Sequence, residues 1–364
     1  MITMHFKTIK TILIFLVMTT LVQGQSFSEK RIFHKSIPVN RDMTLEVNNK
    51  YGTIHITPWK KDSVSVRAEV EASSPSLERL HKMFQGVDVN ISETSFLVRA
   101  RTEFTGNISM LFESFKGMTS KLIPYESRLE INYFISAPEY LDLRIINRYG
   151  NVYMEDNTGT FSLNLSNGSF KANSLNETDE ITLTFCDATI NKMKDGYINA
   201  SFSEVEIGES KDLSITSISS RFDLKNTGKL GTESKRDKYY IGTAISLRGS
   251  SYFTDYRIDE IEKEINVITK YGSLNADLIG KNLELITINS GYSDINLTID
   301  PSVSYNLDIK HVNAFLVLAE NNSKIEKKTL NEEKKEYMTF GTVGRNPGNV
   351  KVMIDATRGN IYLK

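Results

Sequence analysis

The chain has 364 residues, with 44 lysines and arginines against 45 acidic residues and a formal net charge of -1. That balance gives no electrostatic case for wrapping nucleic acid. A single cysteine, Cys186, excludes an intrachain disulfide, so stability must come from packing and strand hydrogen bonds in a chain long enough to bury a substantial core.

Residues 1–24 read as a secretory signal. Lys7 and Lys10 supply the positive flank, Thr11 to Val22 the apolar stretch, and Val22-Gln23-Gly24 the small residues a peptidase needs, which predicts cleavage after Gly24. The apolar run is short of the roughly 20 residues required to cross a bilayer, and no later segment comes closer. No cysteine stands near the cleavage point, so anchoring through a lipid-modified cysteine is excluded.

Residues 25–140 carry strand signals. Leu45 and Val47, Ile54 and Ile56, and then Val64, Val66, Ala68 and Val70 alternate with polar partners, as half-buried strands do. Pro75 to Gln85 is predicted as a helix, with Ser74 as cap, Pro75 in the first turn, Leu77, Leu80 and Phe84 on one face, and Gly86 as the stop. Further strands are expected at Val87–Ile91, Phe96–Arg101 and Leu129–Ile135. Between them Phe104 to Tyr125 mixes Gly, Met, Phe and Lys without a period, and is read as an irregular insert.

From Leu141 to the end, residues 141–364, the pattern repeats as a continuation of the same domain. Leu141, Leu143 and Ile145 point inward, Asn147-Arg148-Tyr149-Gly150 turns, and Val152 and Met154 follow. The unit recurs at Phe161, Leu163, Leu165 with Asn167-Gly168, at Ile265, Val267 with Tyr271-Gly272, and at Leu283, Leu285, Ile288 with Gly291-Tyr292. It closes on Arg358-Gly359-Asn360-Ile361. Weaker copies lie at Ile181–Ile190, Tyr197–Ile207 and Leu213–Leu224. Turns about 16 to 22 residues apart are the spacing of a solenoid whose coils stack at about 4.8 Å, each burying the apolar face of the next. The fold expected is therefore all-β, a single-stranded β-helix with one short helix near the N-terminal part and a few loop insertions. A β-sandwich of hairpins, with closer turns at roughly 8 to 12 residues, is the alternative. Glycine or Asn at each corner is expected to supply the positive φ of the bend. Polar Gly231–Gly242 and charged Asn321–Glu336 read as solvated loops, the second with room for a short surface helix.

Leu45-Glu46-Val47-Asn48-Asn49-Lys50-Tyr51-Gly52-Thr53-Ile54-His55-Ile56-Thr57-Pro58-Trp59, followed by Asp62-Ser63-Val64-Ser65-Val66, resembles the opening of the putative adhesin family of bacterial envelope proteins in its Bacteroidetes form. The Tyr-Gly corners at Tyr51, Tyr149 and Tyr271 and the closing strand pair Val350 to Leu363 resemble that family as well. The resemblance implies a single-stranded β-helix and, by the family's name, adhesion; it transfers no binding-residue motif.

Chemistry-bearing patterns are sparse. His34, His55, His81 and His311 lack ligand spacing, Gly341-Thr342-Val343-Gly344-Arg345 lacks a phosphate-binding Lys, and no Gly-x-Ser-x-Gly elbow occurs. Cys186 reads as a small apolar filler beside Phe185. Asp179-Glu180 and Asp255 with Asp259 and Glu260 are the acidic pairs that a glycan-cleaving enzyme could use, against the reading that they face water. Tyr and Phe, 16 and 18 in number, fill corners and core or form a glycan-stacking ladder along one face. No catalytic, cofactor-binding or metal-binding residue is assigned. The residues singled out are the structural corners Tyr51, Gly52, Tyr149, Gly150, Asn167, Gly168, Tyr271, Gly272, Gly291 and Gly359. The expected role is that of an exported, non-enzymatic adhesin or scaffold, in the periplasm, on the cell surface or secreted, that binds an envelope protein or a glycan through one face. A polysaccharide-acting enzyme and a periplasmic partner in envelope-stress signalling are the alternatives.

Overall fold

The computed structural model describes residues 26–105, 127–318 and 323–364. The expected signal peptide lies outside them, as does nearly all of the insert that begins at Phe104. The protein is almost entirely β: 22 strands join one hydrogen-bonded sheet, with one short helix among the described residues.

The middle of the molecule shows how a single rung is made. Strand β10 (Glu204–Ile218) pairs in parallel with β11 (Arg221–Lys235), β11 with β12 (Lys238–Tyr252), and β12 with β13 (Asp255–Lys270). Glu204 meets Arg221, Arg221 meets Lys238 and Lys238 meets Asp255, so each rung lies directly on the last. Every rung has two limbs. In β10 the first buries Val205 and Ile207, and the second buries Leu213 and Ile215. Like side chains therefore stack in files, and the limbs meet across the interior: Thr232 Oγ1 of a second limb lies 2.9 Å from Tyr256 Oη of a first limb. Buried Phe222, Tyr239 and Tyr256 form one such file, with ring centroids 4.7 and 4.9 Å apart.

Toward the N-terminus the files continue through the long bent strand β9 (Val152–Ser201) and β8 (Asp142–Arg148) to β2 (Thr44–Lys50) and β3 (Ile54–Trp59). Chain order then breaks. β6 (Leu97–Phe104) and β7 (Arg128–Pro138) lie on the far side of β2 and β3, and β5 (Val87–Glu93), β4 (Ser63–Ser74) and β1 (Phe27–Pro38) add antiparallel strands outside them. The C-terminal end is built similarly. After β14 (Ser273–Ile279), β15 (Leu285–Gly291) and β16 (Asp294–Ile299), the chain lays down β17 (Tyr305–Val312) and β18 (Phe315–Leu318), and the last segment, β21 (Lys351–Thr357) with β22 (Asn360–Leu363), inserts between the two rungs. An antiparallel hairpin, β19 (Ser323–Asn331) and β20 (Glu336–Val343), covers β17. Lys324, Lys327 and Lys328 on the outermost strand are suited to blunt an exposed sheet edge.

Four expectations need correction. Helix α1 spans Leu77–Gln85 and is capped by Ser76, whose Oγ accepts from Arg79 N at 3.3 Å; Ser74 instead accepts from Ser76 N. Its buried face is Leu80, Met83 and Phe84, while Leu77 is exposed. Gly231–Gly242 is not a loop but the continuation of β11 into β12. Its inward residues Thr232, Ser234 and Asp237 are polar and are satisfied within the interior, which erases the apolar alternation that marks a strand. The described part of Asn321–Glu336 is strand β19 and a tight turn rather than a loop or helix; an edge strand solvated on both faces shows no apolar period. In the repeat at Leu283, the inward residue is Ile286 rather than Leu285, a shift of one position that exchanges the faces of a strand.

Candidate functional site at the left-handed corner

Between the limbs of successive rungs the chain turns through one residue of positive φ. Tyr51, Tyr149, Asn167, Phe185, Phe202, Ser219, Arg236, Phe253, Tyr271 and Tyr292 occupy this corner at φ between 52° and 67°, followed by Asn313 and Arg358. Consecutive corners are bonded: Phe202 N donates to Ile218 O at 3.0 Å, Ser219 N to Lys235 O at 2.9 Å, Arg236 N to Tyr252 O at 2.9 Å, and Phe253 N to Lys270 O at 2.8 Å. The corners thus run as one line along the molecule.

The glycines at the corners have a different task from the one their spacing suggests. Gly52, Gly150, Gly168 and Gly272 follow the positive-φ residue and do not themselves adopt it; Gly291 precedes Tyr292, and only Gly359, at φ 93°, shares the left-handed region. All but Gly291, where a Cβ would meet only the Lys270 side chain at 3.6 Å, are required by close approach. A Cβ on Gly150 would lie 1.9 Å from the carbonyl oxygen of Gly52, and one on Gly168 1.9 Å from that of Gly150. Other rungs carry a hydrogen-bonding side chain at this position: Ser203 Oγ accepts from Cys186 N, Ser220 Oγ from Ser203 N, Asp237 Oδ1 from Ser220 N, and Thr254 Oγ1 from Asp237 N, at 2.7 to 3.3 Å. Cys186 belongs to this inner file. It is buried, its one S–H lies between the carbonyls of Leu165 and Thr184, 3.3 and 3.2 Å from Sγ, and burial pushes its thiol up, away from reactivity.

A left-handed backbone costs an L-residue with a Cβ about 1–2 kcal/mol, and Gly or Asn escapes most of that penalty. Seven of the corners nevertheless carry Tyr or Phe. Their rings stack from rung to rung: Phe185 on Phe202, Phe253 on Tyr271 and Tyr271 on Tyr292, each with centroids 5.0 Å apart, and Tyr51 on Tyr149 at 5.7 Å. Tyr51 is buried under Phe104, but Phe185, Phe202, Phe253, Tyr271 and Tyr292 are 40–57% exposed, and Tyr252, at 39%, meets Phe253 edge-on. Arg358 closes the row, its guanidinium 5.0 Å above the Tyr292 ring and its Nη1 donating to Tyr292 Oη at 2.9 Å. The result is a straight aromatic ridge on the outer edge of the stack. Along the chain these aromatics are a full rung or more apart, and of the exposed five only Tyr271 precedes a glycine, so only the period carried from the Tyr-Gly corners to the rungs between them could have placed them in one row.

The other chemistry-bearing residues do not converge. Asp179 and Glu180 are exposed and lie five rungs from Asp255, Asp259 and Glu260, on the order of 25 Å at the strand spacing. Asp255 accepts from Ser273 Oγ, and Glu180 from Thr182 Oγ1. His55 stacks between Phe134 and Tyr153, His34 meets Ser65 Oγ, and His311 is buried with Nδ1 3.1 Å from Ala314 O. Among the described residues no three acids, histidines or cysteines are grouped as a metal would need, and no helix is long and apolar enough to cross a membrane.

The sequence matches no protein-family profile and no curated protein. Among solved structures it is similar to a putative cell adhesion protein of Clostridium sporogenes, at 12% identity over 92% of this chain and 100% of that one, with a TM-score of 0.18. A putative adhesin of Parabacteroides merdae, at 10% identity over 74% and 92%, and a putative lipid binding protein of Parabacteroides distasonis, at 11% over 74% and 93%, each give a TM-score of 0.32.

Proposed function

We propose that the chain is an exported, non-enzymatic envelope protein, wound as a single-stranded β-helix, that binds an extended glycan along its aromatic corner. The observation that carries this reading is the coincidence of strain and exposure. Bulky rings sit at left-handed positions where Gly or Asn would be easier, and they sit there half exposed, so the fold gains little burial in return. A row of rings spaced by whole rungs suits a polymer with a repeating unit better than an irregular protein surface. The Lys7–Val22 segment supports export, and the dispersion of the acids supports binding without bond cleavage.

Equilibrium binding of the chain from Gln25 onward to a panel of envelope and capsular polysaccharides tests the proposal. The double variant Phe253→Ala, Tyr271→Ala should weaken the best ligand at least tenfold, about 1.4 kcal/mol, while the β-type circular dichroism spectrum is kept. Binding unaffected by these substitutions, or a protein from the envelope held by the same rings while no polysaccharide binds, would remove the glycan reading.

A further inference from the structure

Asn167 separates Tyr149 from Phe185 in the corner line, and among the five exposed rings the ridge is interrupted once more. Between Phe202 and Phe253 the corner carries Ser219 and Arg236 in place of rings. Phe185 covers one face of Phe202 at an interplanar angle of 11°, so the other face of Phe202 is turned toward the rung of Ser219. Phe202 and Arg236 stand two rungs apart, about 10 Å at the strand spacing. A six-membered ring seated over Ser219 would be about 5 Å from each, the separation at which neighbouring rings of the ridge already stack. Ser219 is therefore a missing tooth, one ring wide.

The charges around that tooth are mostly positive. Arg236 is exposed in the corner line itself, Lys235 precedes it and Lys238 follows on the outer face. Arg221 also borders the gap but is held by Glu204 at 3.1 Å, and Asp255, beside Lys238 in register, accepts from Ser273 Oγ. Lys235, Arg236 and Lys238 are left to face a ligand, and none of them has an ion-pair partner among the described residues.

We infer that the gap over Ser219 seats one ring of an acidic polysaccharide, its apolar face on Phe202 and its carboxylate or sulfate against Arg236, Lys235 and Lys238. The inference rests on the glycan reading and specifies the class of glycan. A flat apolar face bounded by cations matches a sugar that carries both an axial C–H face and an anionic group. A neutral sugar would leave three cations without partners.

Binding of hexamers of galacturonate and of alginate, with cellohexaose and maltohexaose as neutral counterparts, tests this by calorimetry at two salt concentrations. At least one uronate should bind tenfold or more tighter than either neutral hexamer, with the preference shrinking at high salt. Ser219→Tyr, which fills the tooth with the residue that other corners carry, should abolish that preference and raise the dissociation constant at least tenfold. Arg236→Gln removes the charge at the corner without filling the gap and should lose the preference while retaining weak binding, so the result does not depend on folding of the Ser219 variant alone. Uronate and neutral hexamers bound equally, with loss in the Phe253, Tyr271 double variant and none in Ser219→Tyr, would overturn the acidic slot and leave the ridge standing. No binding of any hexamer by the unmodified chain would overturn the slot, and the polysaccharide panel then decides the ridge separately.

Discussion

The backbone N–H of Ser220 donates to Asp237 Oδ1 at 2.7 Å, one rung away, from inside the molecule rather than at its surface. The same carboxylate accepts from Ser217 Oγ at 2.8 Å, Ser234 Oγ at 2.5 Å and Lys235 N at 2.9 Å. Ser217 commits its only hydroxyl proton to Asp237, so Tyr239 Oη, 3.0 Å off, is the donor to Ser217. Burying an acid costs heavily unless its oxygens are met, and here four donors meet them.

Asp237→Ala should accordingly destabilise the protein by about 3 kcal/mol or more, since it leaves several buried donors without an acceptor at about 1–3 kcal/mol each. Asp237→Asn keeps the volume but sets a donor against donors, and should cost less than Ala yet remain clearly destabilising. Urea unfolding monitored by circular dichroism gives both values. An Ala variant within about 0.5 kcal/mol of the native protein, the scatter of surface changes, would show that the network is not holding the rungs together.

Alkaline pH should loosen the same region. Burial, and secondarily the neighbouring Tyr256, holds the Tyr239 phenol well above its ordinary value near 10, and burial pushes Tyr256 up to about 12. Both are raised in the folded state, so the stability they contribute is complete below about pH 10, where folded and unfolded chains are both protonated. It is lost as pH rises from about 10 to 12, where the unfolded chain releases protons that the folded one keeps. Melting temperature against pH should fall more steeply across this window in the native protein than in Tyr239→Phe, Tyr256→Phe.

His311 gives the opposite limb of the profile. Burial holds its imidazole below the ordinary 6.5, Lys327 nearby adds to this, and the carbonyl of Ala314 opposes it in part. A lowered folded value means that stability is complete above about pH 6.5 and declines as pH falls, because the unfolded chain takes up the proton first. His311→Phe should flatten the acid limb below about pH 6.5 in a thermal-shift series; an unchanged slope would assign that limb to other groups.

Neighbouring corner residues should respond in opposite ways to small changes. Gly168→Ala drives a Cβ to 1.9 Å from the Gly150 carbonyl and should cost about 1–3 kcal/mol, as overpacking does. Asn167→Gly, one residue earlier at φ 56° and exposed, relieves a left-handed Cβ and should stay within about 0.5 kcal/mol. Chemical denaturation of the two variants separates them; similar costs would mean that the glycine serves φ after all.

By itself the sequence determined that the protein is a β-structure with a recurring turn, because the period-two alternation of Val64 to Val70 or Leu141 to Ile145 and the Tyr-Gly corners are local signals that survive without any partner. The rung from Gly231 to Gly242 was not legible, since its interior is held by hydrogen bonds that link Thr232, Ser234 and Asp237 to side chains of other rungs, partners distant in the chain that leave no apolar pattern. Which residue of each corner takes the positive φ was likewise hidden: the demand for Gly150 comes from the carbonyl of Gly52, on the next rung but far earlier in the chain. The order of rungs at both ends, with β21 inserted between β15 and β17, and the alignment of Phe185, Phe202, Phe253, Tyr271 and Tyr292 into one exposed row, were decided only by tertiary register. Parallel stacking brings together side chains whose separation along the chain says nothing until the length of each rung is known.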